Sequence, residues 1–297
     1  MDKTTVQELM QTGLVIIDKP PGPTSHEVSS WVKKILKTKK SGHSGTLDPN
    51  VTGVLPVALN RATKLLQFLT KDKKRYVGIL KFRKSQNVEK IEKALKLFEG
   101  EILQLPPKKC AVKRIQRKKK IYGLNILEIK ENRVLFETEV EAGTYIRSIA
   151  RELNYMFGYC VLEELRRIGV GKITDNYSIK LQDLVDAFWL YETQKDSSKL
   201  ERIIHPIQDF IDFPKIIISD NTIEPITHGS PLFRPGVEKY DNFERGELIA
   251  IFTKNNEFLG VHQAIEKSDN LKNIGSGIIS IPKKVFKNPK DLNAPVV

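Results

Sequence analysis

The hydrophobic period of this 297-residue chain changes once, near Pro214, and that change limits the possible folds more than any other feature. Upstream, apolar residues recur at helical spacing in some segments and at strand spacing in others. Downstream the helical period fades into short β-rich pieces, KIIIS, GELIAIF, FLGVHQAI and GIISI, punctuated by glycine and proline in THGSPLFRPGVE. Regularly spaced short strands specify a small barrel or sandwich of roughly 75 residues. The mixture upstream specifies an α+β domain with a mainly antiparallel central sheet. The expected organisation is a first domain over 1–212 (1–12 an N-terminal extension), a small β-barrel over 213–290 and a tail over 291–297.

Within the first domain the elements follow from local signals. Leu14–Ile17 is a short apolar strand broken by Pro20, Pro21 and Pro23. Thr24 and Glu27 then form the T-x-x-E pattern of a capping box. Val28, Trp31, Val32, Ile35 and Leu36 share one face of the helix that follows. VTGVLPVAL reads as a buried strand, 62–69 as a helix, RYVGILKF as a strand, and Val88 to Phe98 as an amphipathic helix stopped at Gly100. YGLNILEI and RVLFETEV form a hairpin through Glu131-Asn132. TYIRSIARELNYMFG is a helix with Ile146, Ile149, Leu153 and Met156 inward, and Leu181, Leu184, Val185 and Phe188 mark another near 181–191.

Lys plus Arg number 49 against 36 Asp plus Glu, a formal net charge of +13. That excess implies a polyanionic partner, nucleic acid or an anionic membrane. KKCAVKRIQRKKK, residues 108–120, carries eight basic residues and no acid, in an extended segment behind Pro106-Pro107. Further clusters lie at Lys33, Lys34, Lys37, Lys39 and Lys40, and at Lys71, Lys73, Lys74 and Arg75. Several runs flanking one loop fit a track for a phosphate backbone. No apolar run approaches ~20 residues, so no membrane span is expected. Two lone cysteines, Cys110 and Cys160, and five scattered histidines imply a reducing compartment and no structural metal. With no apolar leader in MDKTTVQELMQT, the expected location is cytoplasmic.

The loop that these runs flank is SGHSGTLDPN, residues 41–50. Read alone, Asp48-Pro49 is a turn, because Asp bonds its own backbone and Pro fixes the next φ. His43 alone reads as a surface or packed histidine.

The surrounding residues carry a resemblance. GHSGTLDPNVTGVLPVAL resembles the central motif of the TruB-type pseudouridine synthases, and DKPPGPTSHEV resembles their first motif. PPKKCAVKR, YGLNILEI, VEAGTYIRSIARELN and LEELRR resemble later family segments in the same order. The forms of PP…AVKR and VEAGTYIR are most similar to the archaeal and eukaryotic dyskerin branch. PITHGSPLFRPGVEKYDNFERGELIAIF resembles a PUA domain, a small RNA-binding β-barrel. The long lysine-rich tails of eukaryotic dyskerins have no counterpart, which points to an archaeal-type protein.

The resemblance implies isomerisation of uridine to pseudouridine in RNA, with no cofactor and no metal. The uracil leaves its N-glycosidic bond, turns, and is rejoined through C5 to C1′. It implies that Asp48 is the catalytic carboxylate, with three routes open to it: addition to the base, attack on C1′, or removal of a ribose proton. Tyr76 matches the active-site tyrosine that stacks on the target base, and Arg147 the basic residue that pairs the carboxylate. Leu165 matches the apolar residue packed near that base. Lys19 is grouped with the substrate-binding residues, as a support for the loop. His43 is expected to help hold the RNA with its target nucleotide flipped out, and Lys113 and Arg114 to contact RNA.

Two positions depart from the family. Cys110 stands where the branch has serine, and RRIGVGKI replaces R-R-T-R-S-G-P-F, so no role is carried over for residues 168–173. The implied partners are a box H/ACA guide RNA, substrate rRNA or tRNA, and small accessory proteins. The short span from Tyr76 to Pro106 favours guided action over a stand-alone tRNA synthase acting on the T-loop uridine. A catalytically idle RNA-binding scaffold is opposed by the presence of Asp48, Tyr76 and Arg147. A glycosidase is opposed by the lack of a second carboxylate beside Asp48.

Overall fold

Residues 5–105 and 115–287 are described by a computed structural model. The chain divides into two compact units between Pro206 and Ile207.

The strands of the first unit are β1 Gly13–Lys19, β2 Ser41–His43, β3 Thr52–Leu59, β4 Lys74–Phe82, β5 Gly100–Gln104, β6 Arg117–Lys130, β7 Arg133–Val140, β8 Cys160–Val170, β9 Ile173–Thr174 and β10 Ile204–Pro206. Its helices are α1 Val6–Thr12, α2 Ser25–Ile35, α3 Leu66–Leu69, α4 Val88–Lys96, α5 Ile146–Phe157, α6 Leu181–Gln194 and α7 Ser198–Ile203. One sheet runs in the order β10-β1-β3-β8-β4-β7-β6-β5, with β2 added to β3 and β9 to β8. Among the described residues only the short β3–β8 ladder of this sheet is parallel, so the sheet is mainly antiparallel, as expected.

Local signals hold where one element suffices. Thr24 and Glu27 form the capping box reciprocally, which is worth about 1 kcal/mol to a helix end. The β6–β7 hairpin turns through Glu131-Asn132, with Val134, Phe136, Thr138 and Val140 buried and their alternates half-buried. The structure departs from the pattern in four places. Residues 60–65 form a 3-10 turn, leaving only Leu66–Leu69 as α-helix. Trp31, Val185 and Met156 are exposed although their spacing puts them on apolar faces. The strands β5 and β8 were not legible as such, and β8 crosses the centre of the sheet. The atypical RRIGVGKI segment is the end of β8, a turn at Gly171-Lys172, and β9.

The second unit is built from β11 Lys215–Ile218, α8 Asp220–Thr227, β12 Leu232–Phe233, β13 Val237–Tyr240, β14 Leu248–Thr253, β15 Phe258–Ala264 and β16 Ile278–Val285. The sheet order is β12-β16-β15-β14-β11-β13. Its two end strands are separated in the chain by only the 3-10 turn Arg234–Gly236, so the sheet curls until its ends meet. That is the small barrel expected from the strand spacing. Ile216, Ile218, Leu232, Ile249, Ile251, Leu259 and Ile279 fill its core. The helix α8 carries Pro225 inside it, which hid it from pattern reading.

Candidate active site

The aspartate loop joins β2 to β3. Leu47 and Val51, both buried, anchor it on either side of Asp48, whose carboxylate remains outside. Ser25, at the start of α2, grips Leu47 twice: its Oγ donates to the Leu47 carbonyl at 3.0 Å and accepts from the Leu47 N–H at 2.8 Å. Gly22 N donates to the Pro49 carbonyl at 2.9 Å, and Val51 N to the Asp48 carbonyl at 3.0 Å. The first motif thus folds directly onto the second. Gly45 has φ +79°, a conformation costly for any residue with a Cβ, and it sets the loop's direction.

Lys19 is 0 % exposed. Its Nζ donates to the carbonyls of Pro20 at 2.9 Å, Pro49 at 2.8 Å and Val51 at 3.0 Å. All three ammonium protons are therefore committed to the chain, and Lys19 braces the loop. Burial lowers its pKa, and the nearby Asp48 charge opposes that effect.

Arg147 stands at the start of α5, and its Nη2 lies 2.9 Å from Asp48 Oδ2. The side chains are 50 % and 44 % exposed. Gln104 of β5 positions this helix start. Its Oε1 accepts from Tyr145 N at 2.9 Å, and its Nε2 donates to Ser148 Oγ at 2.6 Å and to the Tyr145 carbonyl at 3.2 Å. Nothing in the sequence singled out Gln104, because the contact spans about forty residues.

Tyr76 of β4 is only 9 % exposed. It is the register partner of Arg167 in β8, while Leu165 lies opposite Gly78 on the same face of the sheet. Arg167 is 1 % exposed. Its Nε donates to the Val54 carbonyl at 2.8 Å and its Nη2 to the Gly45 carbonyl at 3.1 Å, and the Tyr76 phenol of the paired strand stands beside it. Burial lowers its pKa, opposed by the Tyr76 oxygen. Beyond it the ladder jumps, with Arg75 opposite Gly169, so Ile168 is a bulge. Gly53, φ +98°, allows β3 to approach β8, since a Cβ there would come within 2.2 Å of the Arg167 carbonyl.

His43 ends β2 half-buried. Burial, then the Arg167 charge, lowers its pKa, and its buried Nδ1 has no hydrogen-bond partner among the described residues. Lys113 and Arg114 lie outside the described residues. The basic track is thinner than its lysine count suggests. Lys74 is buried, its Nζ on the Thr70 and Asp72 carbonyls at 2.6 Å, and burial pushes its pKa down to about 8. Lys119 is committed to Glu141 at 2.7 Å and to the Ala142 carbonyl at 2.6 Å. Among the described residues no cluster of His, Cys, Asp or Glu is arranged to hold a metal, and no helix is long and apolar enough to cross a membrane.

Residues 33–146 match the TruB family pseudouridylate synthase N-terminal domain, 147–211 the tRNA pseudouridylate synthase B C-terminal domain, and 214–286 the PUA domain. The chain belongs to the TruB family of pseudouridylate synthases. It is 39 % identical to the "Probable tRNA pseudouridine synthase B" of Pyrobaculum calidifontis, over 95 % of this chain and 85 % of that one. The Pyrococcus furiosus protein of the same name is 40 % identical, over 98 % and 86 %. Among solved structures, it superposes on a chain of a Cbf5-Nop10-Gar1 complex with TM-score 0.89 and 39 % identity, covering 96 % of this chain and 88 % of that one. A chain of an H/ACA RNP bound to a substrate RNA containing 2'-deoxyuridine gives TM-score 0.88 and 38 % identity, covering 97 % and 88 %. This TruB-family chain is thus an RNA pseudouridine synthase of the dyskerin (Cbf5) type, with a PUA domain.

Proposed function

We propose that this synthase is the catalytic subunit of a guide-directed H/ACA-type ribonucleoprotein and that Asp48 is its catalytic carboxylate. The Asp48–Arg147 contact at 2.9 Å carries the reading, because it holds one half-exposed carboxylate against a cation, while Tyr76 and Leu165 share one face of the β4–β8 ladder. In the reaction the N1–C1′ bond of uridine breaks and a C5–C1′ bond forms. The C5 proton is released, and N1 ends protonated. Asp48 meets the detached base or sugar, Arg147 holds the carboxylate, and Tyr76 and Leu165 face the uracil ring. Because Asp48 and Arg147 are half exposed, the RNA itself is what excludes water from the reacting atoms. His43 supports the unstacked nucleotide, and Lys113 and Arg114 contact RNA phosphates. The similarity to chains solved with Nop10, Gar1 and H/ACA RNA supports guide RNA and those accessory proteins as partners.

The names of the relatives favour one second reading, stand-alone action on tRNA. Tritium release from C5-labelled RNA separates the two. The guided reading expects release from an rRNA fragment only with a complementary guide, at the one uridine left unpaired. Guide-independent release from tRNA at equal rate overturns it.

A further inference from the structure

Arg167 is a buried side chain whose bonds no motif accounted for. It lies on β8, between the two strands that carry the site: β3, which leaves the aspartate loop, and β4, which carries Tyr76. Its backbone pairs with Gly53 on one side and Tyr76 on the other. Its guanidinium donates to the Gly45 carbonyl within the aspartate loop and to the Val54 carbonyl of β3, on the face of the sheet it shares with its register partner Tyr76. These acceptors are all neutral oxygens. A fully buried guanidinium held by neutral oxygens is expensive, and removing one of its acceptors leaves a charge unsatisfied. A core position needing only volume is filled more cheaply by an apolar residue. The arrangement is therefore a geometric clamp, since Arg presents a rigid fork that fixes the acceptors relative to one another.

We infer that Arg167 is a positioning residue that sets the distance and orientation between the Asp48 loop and the Tyr76 ring before RNA arrives. Because the guanidinium only donates, the Tyr76 phenol can meet it only through its oxygen, which leaves the phenolic hydrogen to point elsewhere. Ile168, the bulge immediately after it, breaks the ladder where the side chain must be aimed. Gly45 belongs to the same device, because a Cβ there would press on Arg167 Nη1 at 3.3 Å. The inference rests on the reading of Asp48 and Tyr76 as groups that meet the uracil nucleotide.

The test uses the assembled enzyme under single turnover, with RNA affinity measured separately. Arg167→Met is expected to slow the chemical step by about 100-fold, the scale of a misplacement near 1 Å. Affinity should stay within about twofold, and Arg167→Lys should recover part of the rate. In a Tyr76→Phe background the same substitution should cost far less, because one arm of the clamp is already gone. Equal fold losses in both backgrounds, rate and affinity falling together, or a chain that no longer melts cooperatively would each reduce Arg167 to a fold-holding residue and overturn the inference. Asp48→Asn, measured alongside, keeps the outcomes apart. An active Asp48→Asn sinks the proposed carboxylate role, whereas an inactive one with a normal Arg167→Met sinks the clamp alone.

Discussion

Arg147 Nη2 lies 2.9 Å from Asp48 Oδ2, yet half of each side chain faces solvent. An ion pair so exposed contributes at most about 1 kcal/mol to folding. Its value lies in orienting the carboxylate for the reaction, where covering RNA strengthens it.

Asp48→Asn should therefore abolish isomerisation, by at least the ~100-fold scale of a lost reacting group, while leaving the melting temperature and guide-RNA affinity nearly unchanged. The carboxylate makes no hydrogen bond that the loop depends on, since Lys19, Ser25 and Arg167 hold the backbone. Turnover at a comparable rate in the tritium assay removes Asp48 from the chemistry.

Arg147→Ala should split rate from stability. Thermal melting should move little, because the pair is exposed and Gln104 holds the helix start independently. The single-turnover rate should drop well beyond any loss in affinity. Equal losses in both would assign Arg147 to the RNA track.

Salt dependence should divide the lysines at 118–120. Neutralising Lys118 and Lys120 should flatten the slope of log affinity against log salt by roughly 0.7–0.9 for each phosphate left without its lysine. Adding Lys119→Gln should change the slope no further and should instead lower stability, because Lys119 is tied to Glu141 and the Ala142 carbonyl. A further flattening with Lys119→Gln would show it reaching RNA.

Acid should weaken the C-terminal unit through His262. The ring is buried, its Nδ1 meets Ser280 Oγ at 3.1 Å, its Nε2 has no partner among the described residues, and burial pushes its pKa down from 6.5 to about 4. The unfolded chain then binds the proton more readily, so stability is full above pH 6.5 and is lost as pH falls toward 4, by about 3 kcal/mol. Hydrogen exchange of the β15 and β16 amides, measured at pH 7 and pH 5, should accelerate at the lower pH beyond its intrinsic rate. In His262→Met that acceleration should shrink. An identical pH response in the variant would place the acid sensitivity elsewhere.

What the sequence determined by itself is what neighbours along the chain determine. The Thr24–Glu27 capping box and the β6–β7 hairpin depend on residues a few positions apart, and both are present. The loop around Asp48 was legible for the same reason, because Gly45 and Pro49 constrain their own backbone. Periodicity also marked apolar faces, but a period cannot say whether another element covers them, and Trp31 and Met156 stay exposed. The clamp depended wholly on tertiary structure. Arg167 and Gly45 lie 122 positions apart, and Gln104 and Tyr145 lie 41 apart. They meet because β8 inserts between β3 and β4, and β5 ends beside α5. A buried charge is stable only where such distant partners converge, so its role comes from the strand order, whereas the sequence shows only the second of two adjacent arginines.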